Sequence, residues 1–318
     1  MSNEKKITLV TGFFNCKREV NENQRRSDNE YLNYFEFWAR IQNDLIVFGN
    51  KEITQKAYDI RKKFGRENQT KIVIIEDPTE CDYKIYEAMK KIENRGEFKK
   101  WRIRDYDISN EALYNHVMFM KIWAIKYVAE NFPETEMLAW IDFGFNHGGK
   151  CYTNCEEFDY LWDYKFDENK VHLFALRNPE NELGYLKLMC MTDGIMGAPF
   201  LCHSAKARKL YECIKTCIFA LASLDVIDDD QMWLTMAYKW WPDMFEIHEC
   251  DWFMALKEFG SPHLTTQTIS NEKNIMKFIK LKGIKGVIKY SYVKLIYKMS
   301  VEKYDYWKRM RELIRDYE

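Results

Sequence analysis

Short apolar runs alternate with longer segments whose apolar residues recur at helical spacing. Residues 7–11 (ITLVT) are an apolar run closed by Gly12-Phe13-Phe14-Asn15 and read as a first strand. Residues 16–30 are polar and rich in Arg, Glu and Asn, an exposed loop. Tyr31, Tyr34, Phe35, Trp38 and Ile41 then repeat at helical spacing. Residues 45–48 and 72–75 predict two further strands, separated by a helix over 53–64 with a basic outer face. Residues 81–106 are charged and helical, broken at Gly96. The clearest helix covers 110–131, where Val117, Met120, Ile122, Trp123, Ile125, Val128 and Ala129 form a wide apolar stripe that Pro133 closes. Residues 137–141 are a strand that runs into Asp142, and residues 158–164 are a short aromatic segment. Strands follow at 171–176 and 244–248, a strand and turn constrained by Gly194, Gly197 and Pro199 at 192–200, and helices at 205–224 and 226–241. The alternation of strands and helices predicts an α/β fold on a mostly parallel sheet.

Composition narrows this further. With 47% hydrophobic and 16% aromatic residues the chain can fill a large core, and a net charge of −1 gives no reason to expect a nucleic-acid partner. None of the nine cysteines forms a C-x-x-C pair, a pattern expected of a reducing compartment. The opening MSNEKKITLVTGFF reads as a strand, not a signal peptide, and no apolar run approaches the ~18 residues of a membrane span. A cytoplasmic protein is expected. From residue 274 Lys277, Lys280, Lys282, Lys285, Lys289, Lys294 and Lys298 alternate with Ile, Val, Leu and Tyr. Residues 1–273 are therefore read as one domain and 274–318 as a basic amphipathic helical tail. The tail either docks on the domain or lies on the cytoplasmic face of an anionic membrane.

Candidate chemistry gathers at strand ends. Asp142 follows an apolar strand and opens MLAWIDFGFNHGG; it either caps a turn or holds a divalent cation against a diphosphate. Residues 144–150 spell G-x-x-x-x-G-K, but Cys151 stands where a phosphate-binding loop needs Ser or Thr. A P-loop kinase is therefore a minor reading. Asp228-Asp229-Asp230-Gln231 opens a helix: one acid serves as N-cap, and the others are candidate bases if they converge. Gly194 and Gly197 permit close backbone approach, to a sugar or in a plain bulge. His147 and His248 are candidate metal ligands, with His263 a weaker one; His147, Cys151 and Cys155 have a loose zinc-like spacing. Lys121 either snorkels from a core edge or neutralises a phosphate.

Together MLAWIDFG, TDGIMGAPF, DDDQMWL and LVTGFFN followed by YFEFWARIQNDLIVF resemble the HtrL/YibB-like family of bacterial polysaccharide and lipopolysaccharide biosynthesis proteins, over roughly residues 5–260. The resemblance implies a GT-A-like, Rossmann-like glycosyltransferase fold. It also implies a UDP-sugar donor, a glycan or lipid-linked acceptor, and Mn²⁺ or Mg²⁺. It places the nucleotide-facing first loop on Thr11, Gly12, Phe13 and Asn15, the nucleobase-side acid on Asp77 and the diphosphate motif on Asp142 and Gly144, while charge makes Lys121 a candidate against the leaving diphosphate. Asp193, Gly194, Gly197 and Gln231 fall to the sugar, and Asp229 or Asp230 faces the acceptor as the catalytic carboxylate, a base for the acceptor hydroxyl if the enzyme inverts or the stabiliser of an oxocarbenium-like centre if it retains. The D-x-D of GT-A enzymes departs here to Asp142-Phe143-Gly144, leaving Asn146, His147 or His248 to complete a metal shell with Asp142, or Asp142 to serve as the one carboxylate. The missing carboxylate also motivates an alternative, a non-catalytic sugar-nucleotide-binding or scaffold protein of a glycan-assembly complex.

Overall fold

The structure is a computed structural model and describes residues 6–16, 27–102, 107–190, 193–267 and 295. The basic tail predicted over 274–318 lies outside these, Leu295 apart, as does most of the polar stretch after the first strand. In chain order the elements are β1 (Ile7–Phe13), α1 (Asp28–Trp38), β2 (Leu45–Gly49), α2 (Lys51–Lys63), β3 (Thr70–Ile74), α3 (Tyr83–Arg95), α4 (Glu97–Trp101) and α5 (Ala112–Asn131). They continue as β4 (Met137–Trp140), β5 (Val171–Ala175), α6 (Gly184–Cys190), β6 (Ile195–His203), α7 (Ser204–Ser223), α8 (Asp230–Trp240), β7 (Phe245–Glu249) and α9 (Ala255–Glu258).

One seven-stranded sheet has the order β3-β2-β1-β4-β6-β5-β7. Every neighbouring pair is parallel except the two that β6 makes with β4 and β5. This is the mixed, mostly parallel sheet flanked by helices expected from the sequence. The chain builds outward from β1 to β3 and then returns to the other side of β1 with β4. The strand order therefore reverses between β1 and β4, where an open α/β sheet leaves a crevice at its carboxyl ends.

Apolar side chains cover both faces. On one, Val10, Phe48, Leu138 and Phe200 meet α3, α5, α7 and α8. On the other, Leu9, Val47, Ala139 and Phe174 meet α1, α2 and the aromatic segment around Phe158 and Trp162. Helix starts follow their caps. Ser27 and Glu30 form a reciprocal capping box, so α1 begins at Asp28, ahead of the first apolar residue of the pattern. Gly96 ends α3 in a left-handed conformation at φ 66°, the predicted break. Arg61 departs from the basic outer face predicted for its helix. It turns inward and donates to the carbonyls of Ala39 and Asn43 and to Thr70 Oγ1, each at 2.9 Å, tying α2 to the chain around β2 and β3. No helix among the described residues is long and apolar enough to cross a membrane.

Candidate active site

A cleft of ≈1330 Å³ opens where β1 and β4 end. Three elements meet at its floor. The chain leaves β4 at Trp140 and presents Asp142 two residues later. Because β6 runs antiparallel to β4, its amino end brings Gly197 beside Asp142. The amino end of α8 adds Asp229 and Asp230.

Lys121, in the middle of α5, joins all three. Its Nζ lies 3.0 Å from Asp142 Oδ1 and 2.7 Å from Asp230 Oδ2, and donates to Gly197 O at 3.4 Å. The side chain is only 7% exposed, so the snorkelling alternative fails. Burial works against the ammonium charge, but Asp142 and Asp230 outweigh it and hold the pKa above the ordinary lysine value. α5 is buried on most of its circumference, and a lysine there is stable only because two carboxylates meet it. Trp140 Nε1 donates to Asp142 Oδ1 at 2.8 Å and fixes the carboxylate further.

The three consecutive aspartates have three different environments. Asp228 is buried against Arg102 (3.1 Å) and accepts from the Asp229 amide. Asp230 is the buried partner of Lys121. Asp229 accepts from the Gln231 amide as the N-cap of α8 and lines the cleft. Burial, with Asp228 and Asp230 alongside, pushes its carboxyl up to about 8. Asp229 is thus the acid able to exchange a proton near neutrality. Arg102 lies in the charged segment, where no pattern marks it.

Gly197 in β6 and Gly194 just before it approach protein carboxylates, not open space. A Cβ on Gly197 would sit 2.2 Å from Asp230 Oδ2, and one on Gly194 would sit 2.5 Å from Glu182 Oε1. Glu182 is itself buried and ion-paired to Arg177 (2.8 Å) and Lys187 (3.6 Å). Asp193 and Gly197 line the cleft, whereas Gly194 lies beneath it with its amide on Gln231 Oε1 at 3.3 Å. Gly197→Ala should therefore push Asp230 off Lys121. We expect a loss of about 1–3 kcal/mol in urea unfolding, the usual range for overpacking. An unchanged midpoint would contradict this contact.

The loop after Asp142 is closed on itself. Asn146 and His147 have positive φ (60° and 44°). The buried Asn146 amide holds them, accepting from the N–H groups of Cys151 (2.7 Å) and Tyr152 (2.8 Å) and donating to Tyr152 O. The amides of His147, Gly149 and Lys150 also bond within the loop. None of these five N–H groups is turned to a phosphate, so the P-loop spelling is coincidental, and Asn146 staples the loop instead of binding metal. A Cβ at Gly144 would lie 3.0 Å from the Tyr31 ring, so the place of the second D-x-D carboxylate is filled by an aromatic side chain.

Of the nucleotide-side residues, Gly12, Phe13, Asn15, Lys121, Asp142 and Gly144 line the cleft. Thr11 and Asp77 do not. Thr11 lies within β1 and is fully buried. Asp77 caps the turn after β3, accepting from the Thr79 amide (2.8 Å) and hydroxyl (2.7 Å), which hold its carboxyl below the usual range. Of the predicted metal ligands, Asp142 and His147 line the cleft, but His248 lies on the edge strand against His172. Cys151 makes a sulfur contact with Met254, at odds with the zinc-like spacing noted above.

The cleft gains an acid that no sequence motif marks. Asp251, two residues past the end of β7, is exposed and lines it with Trp252 and Phe253. Its signal is the one that marked Asp142, an acid just beyond a strand. Among the described lining residues six aspartates face two lysines, so a diphosphate entering here needs added positive charge. Asp142, 44% exposed, and Asp251 offer hard oxygen donors. Carboxylates in an open cleft are the donor type that Mg²⁺ or Mn²⁺ takes alongside substrate phosphates.

A model of the family described as "Bacterial protein of unknown function (HtrL_YibB)" matches residues 5–261. Protein HtrL of Escherichia coli K12 is 24% identical over 273 residues, covering 80% of this chain and 92% of that protein. Among solved structures, mouse xyloside xylosyltransferase 1 aligns over 80% of this chain and 93% of its own, at 12% identity and a TM-score of 0.39. A glycosyltransferase involved in glycosylation of the major capsid of PBCV-1 aligns over 77% and 81%, at 12% identity and a TM-score of 0.36.

Proposed function

The chain belongs to the HtrL_YibB family. We propose that it is a glycosyltransferase moving a hexose from a nucleoside-diphosphate sugar, UDP-hexose first among them, to a hydroxyl of a glycan or lipid-linked acceptor in surface-polysaccharide synthesis. One observation carries the proposal: Asp142, Asp229 and the Lys121–Asp230 pair converge at the crevice between β1 and β4. The volume suits a ligand of nucleotide-sugar size.

In the reaction the acceptor oxygen forms a bond to the anomeric carbon as the bond from that carbon to the diphosphate breaks. Asp229 takes the acceptor's proton, a task its raised pKa suits near neutrality. Lys121 and Asp230 hold the floor in register. Gln231 accepts from Gly194 through its carbonyl oxygen, leaving its amide N–H groups to donate to a sugar hydroxyl. A divalent ion held by Asp142 and Asp251 would supply positive charge against the leaving diphosphate.

The proposal is tested by release of nucleoside diphosphate from a panel of nucleotide sugars. Added Mn²⁺ or Mg²⁺ should stimulate release. Asp251→Asn should raise the metal concentration for half-maximal rate by about 10-fold or more, by analogy with the loss of a metal-supporting group. The same metal dependence in wild type and variant would remove Asp251 from the site.

A further inference from the structure

Away from the cleft, the parallel pair β5 and β7 brings three donors together. Their register sets His172 opposite Glu246 and Phe174 opposite His248. Side chains two apart on a strand share a face, so Glu246 and His248 flank His172 from the neighbouring strand. His172 Nδ1 lies 3.0 Å from His248 Nε2 and 3.5 Å from Glu246 Oε2, and His248 Nε2 lies 4.0 Å from Glu246 Oε1. Two ligand atoms on a tetrahedral ion at zinc bond lengths are about 3.3 Å apart, and these separations bracket that value.

The surroundings favour ligation. His172 Nε2 faces the Asp167 carbonyl at 2.8 Å. It therefore carries the ring proton and leaves the Nδ1 lone pair turned toward His248, the usual outer support of a metal-bound imidazole. Phe166, Phe174 and Phe259 pack on the His248 ring, at centroid distances of 5.8, 5.2 and 4.6 Å. Glu246 is 46% exposed, which opens one side to water and to an entering ion. We propose that His172, Glu246 and His248 bind a divalent transition-metal ion of the zinc class, with water in the fourth position. Two imidazoles and one carboxylate suit zinc, copper or nickel and not calcium or magnesium. Because β7 is the edge strand and leads directly into Asp251–Phe253, the ion would fasten the strand that carries one wall of the cleft.

The test uses the purified full chain, stripped of metal and titrated with Zn²⁺ by calorimetry and with Co²⁺ by visible absorption. About one equivalent should bind, with four-coordinate Co²⁺ bands and no thiolate charge-transfer band. Glu246→Gln, on an exposed side chain, and His248→Gln should each weaken binding at least about 10-fold while leaving circular dichroism unchanged. Equal binding by wild type and both variants, or a thiolate band showing that cysteines hold the ion, would overturn the proposal. Nucleotide-sugar turnover is not part of the readout, so the site stands or falls independently of the proposed reaction.

Discussion

Asp229→Asn is expected to lower the rate of glycosyl transfer about 10²- to 10⁴-fold, the range for losing a general base, while leaving donor binding nearly unchanged. Asparagine is as good an N-cap as aspartate, so α8 should still start in place. What disappears is the proton acceptor. With the Asp229 carboxyl pushed up to about 8, wild-type kcat/KM should rise with pH through about 8 and then level off. Stability moves the other way. A carboxyl whose pKa is raised on folding favours the folded state only while it is protonated. Its contribution is complete below about 3.9, the unfolded value, and is lost as pH rises through about 8. Asp229→Asn should therefore be more stable than wild type in urea at pH 9, with the gap closing toward pH 4. A flat pH–rate profile, or a variant of normal rate, would assign the proton to another group.

Lys121→Met should unfold most easily of all the variants considered. The methionine fits the apolar surroundings of α5, but it leaves Asp142 and Asp230 facing each other without the ammonium between them. Removing one partner of a buried pair costs about 3–5 kcal/mol, because the other charge stays behind. Asp230 is only 8% exposed and has little access to water, so it should carry most of that cost. Adding Asp230→Asn to Lys121→Met should recover much of the stability, since the stranded charge goes too, but none of the activity. Urea titration of the two single variants and the double variant measures this as a coupling energy. Additive effects would mean that the lysine and the aspartate act independently.

Much of this arrangement is visible in the sequence, and its gaps have physical causes. Apolar runs ending in Gly12-Phe13-Phe14-Asn15 and in Asp142 mark β1 and β4 correctly, and the acids before α8 point to the cleft floor. Periodicity does not reveal which strands become neighbours. The insertion of an antiparallel β6 between β4 and β5 therefore lies beyond it, and so does the approach of Gly197 to Asp230. Spacing also cannot say where a polar group spends its hydrogen bonds. Asp77 and Asn146 carry suitable chemistry for a ligand, yet the Thr79 amide and the Cys151 and Tyr152 amides already occupy them. His248 is a histidine at a strand end, as expected, but its side chain faces His172 across the sheet edge. The partner missing at Gly144 is explained only by the Tyr31 ring, which arrives from α1 more than a hundred residues earlier in the chain.

As a glycosyltransferase site, this cleft should break the bond between a sugar and a nucleoside diphosphate. Release of nucleoside diphosphate from UDP-sugars with Mn²⁺ present, compared between wild type and Asp142→Ala, tests it most directly. The wild type should release it slowly from at least one donor, even without acceptor, and Asp142→Ala should lose that release. Donor binding by the wild type with no release from any UDP-sugar would contradict it and leave a protein that holds a sugar nucleotide without acting on it.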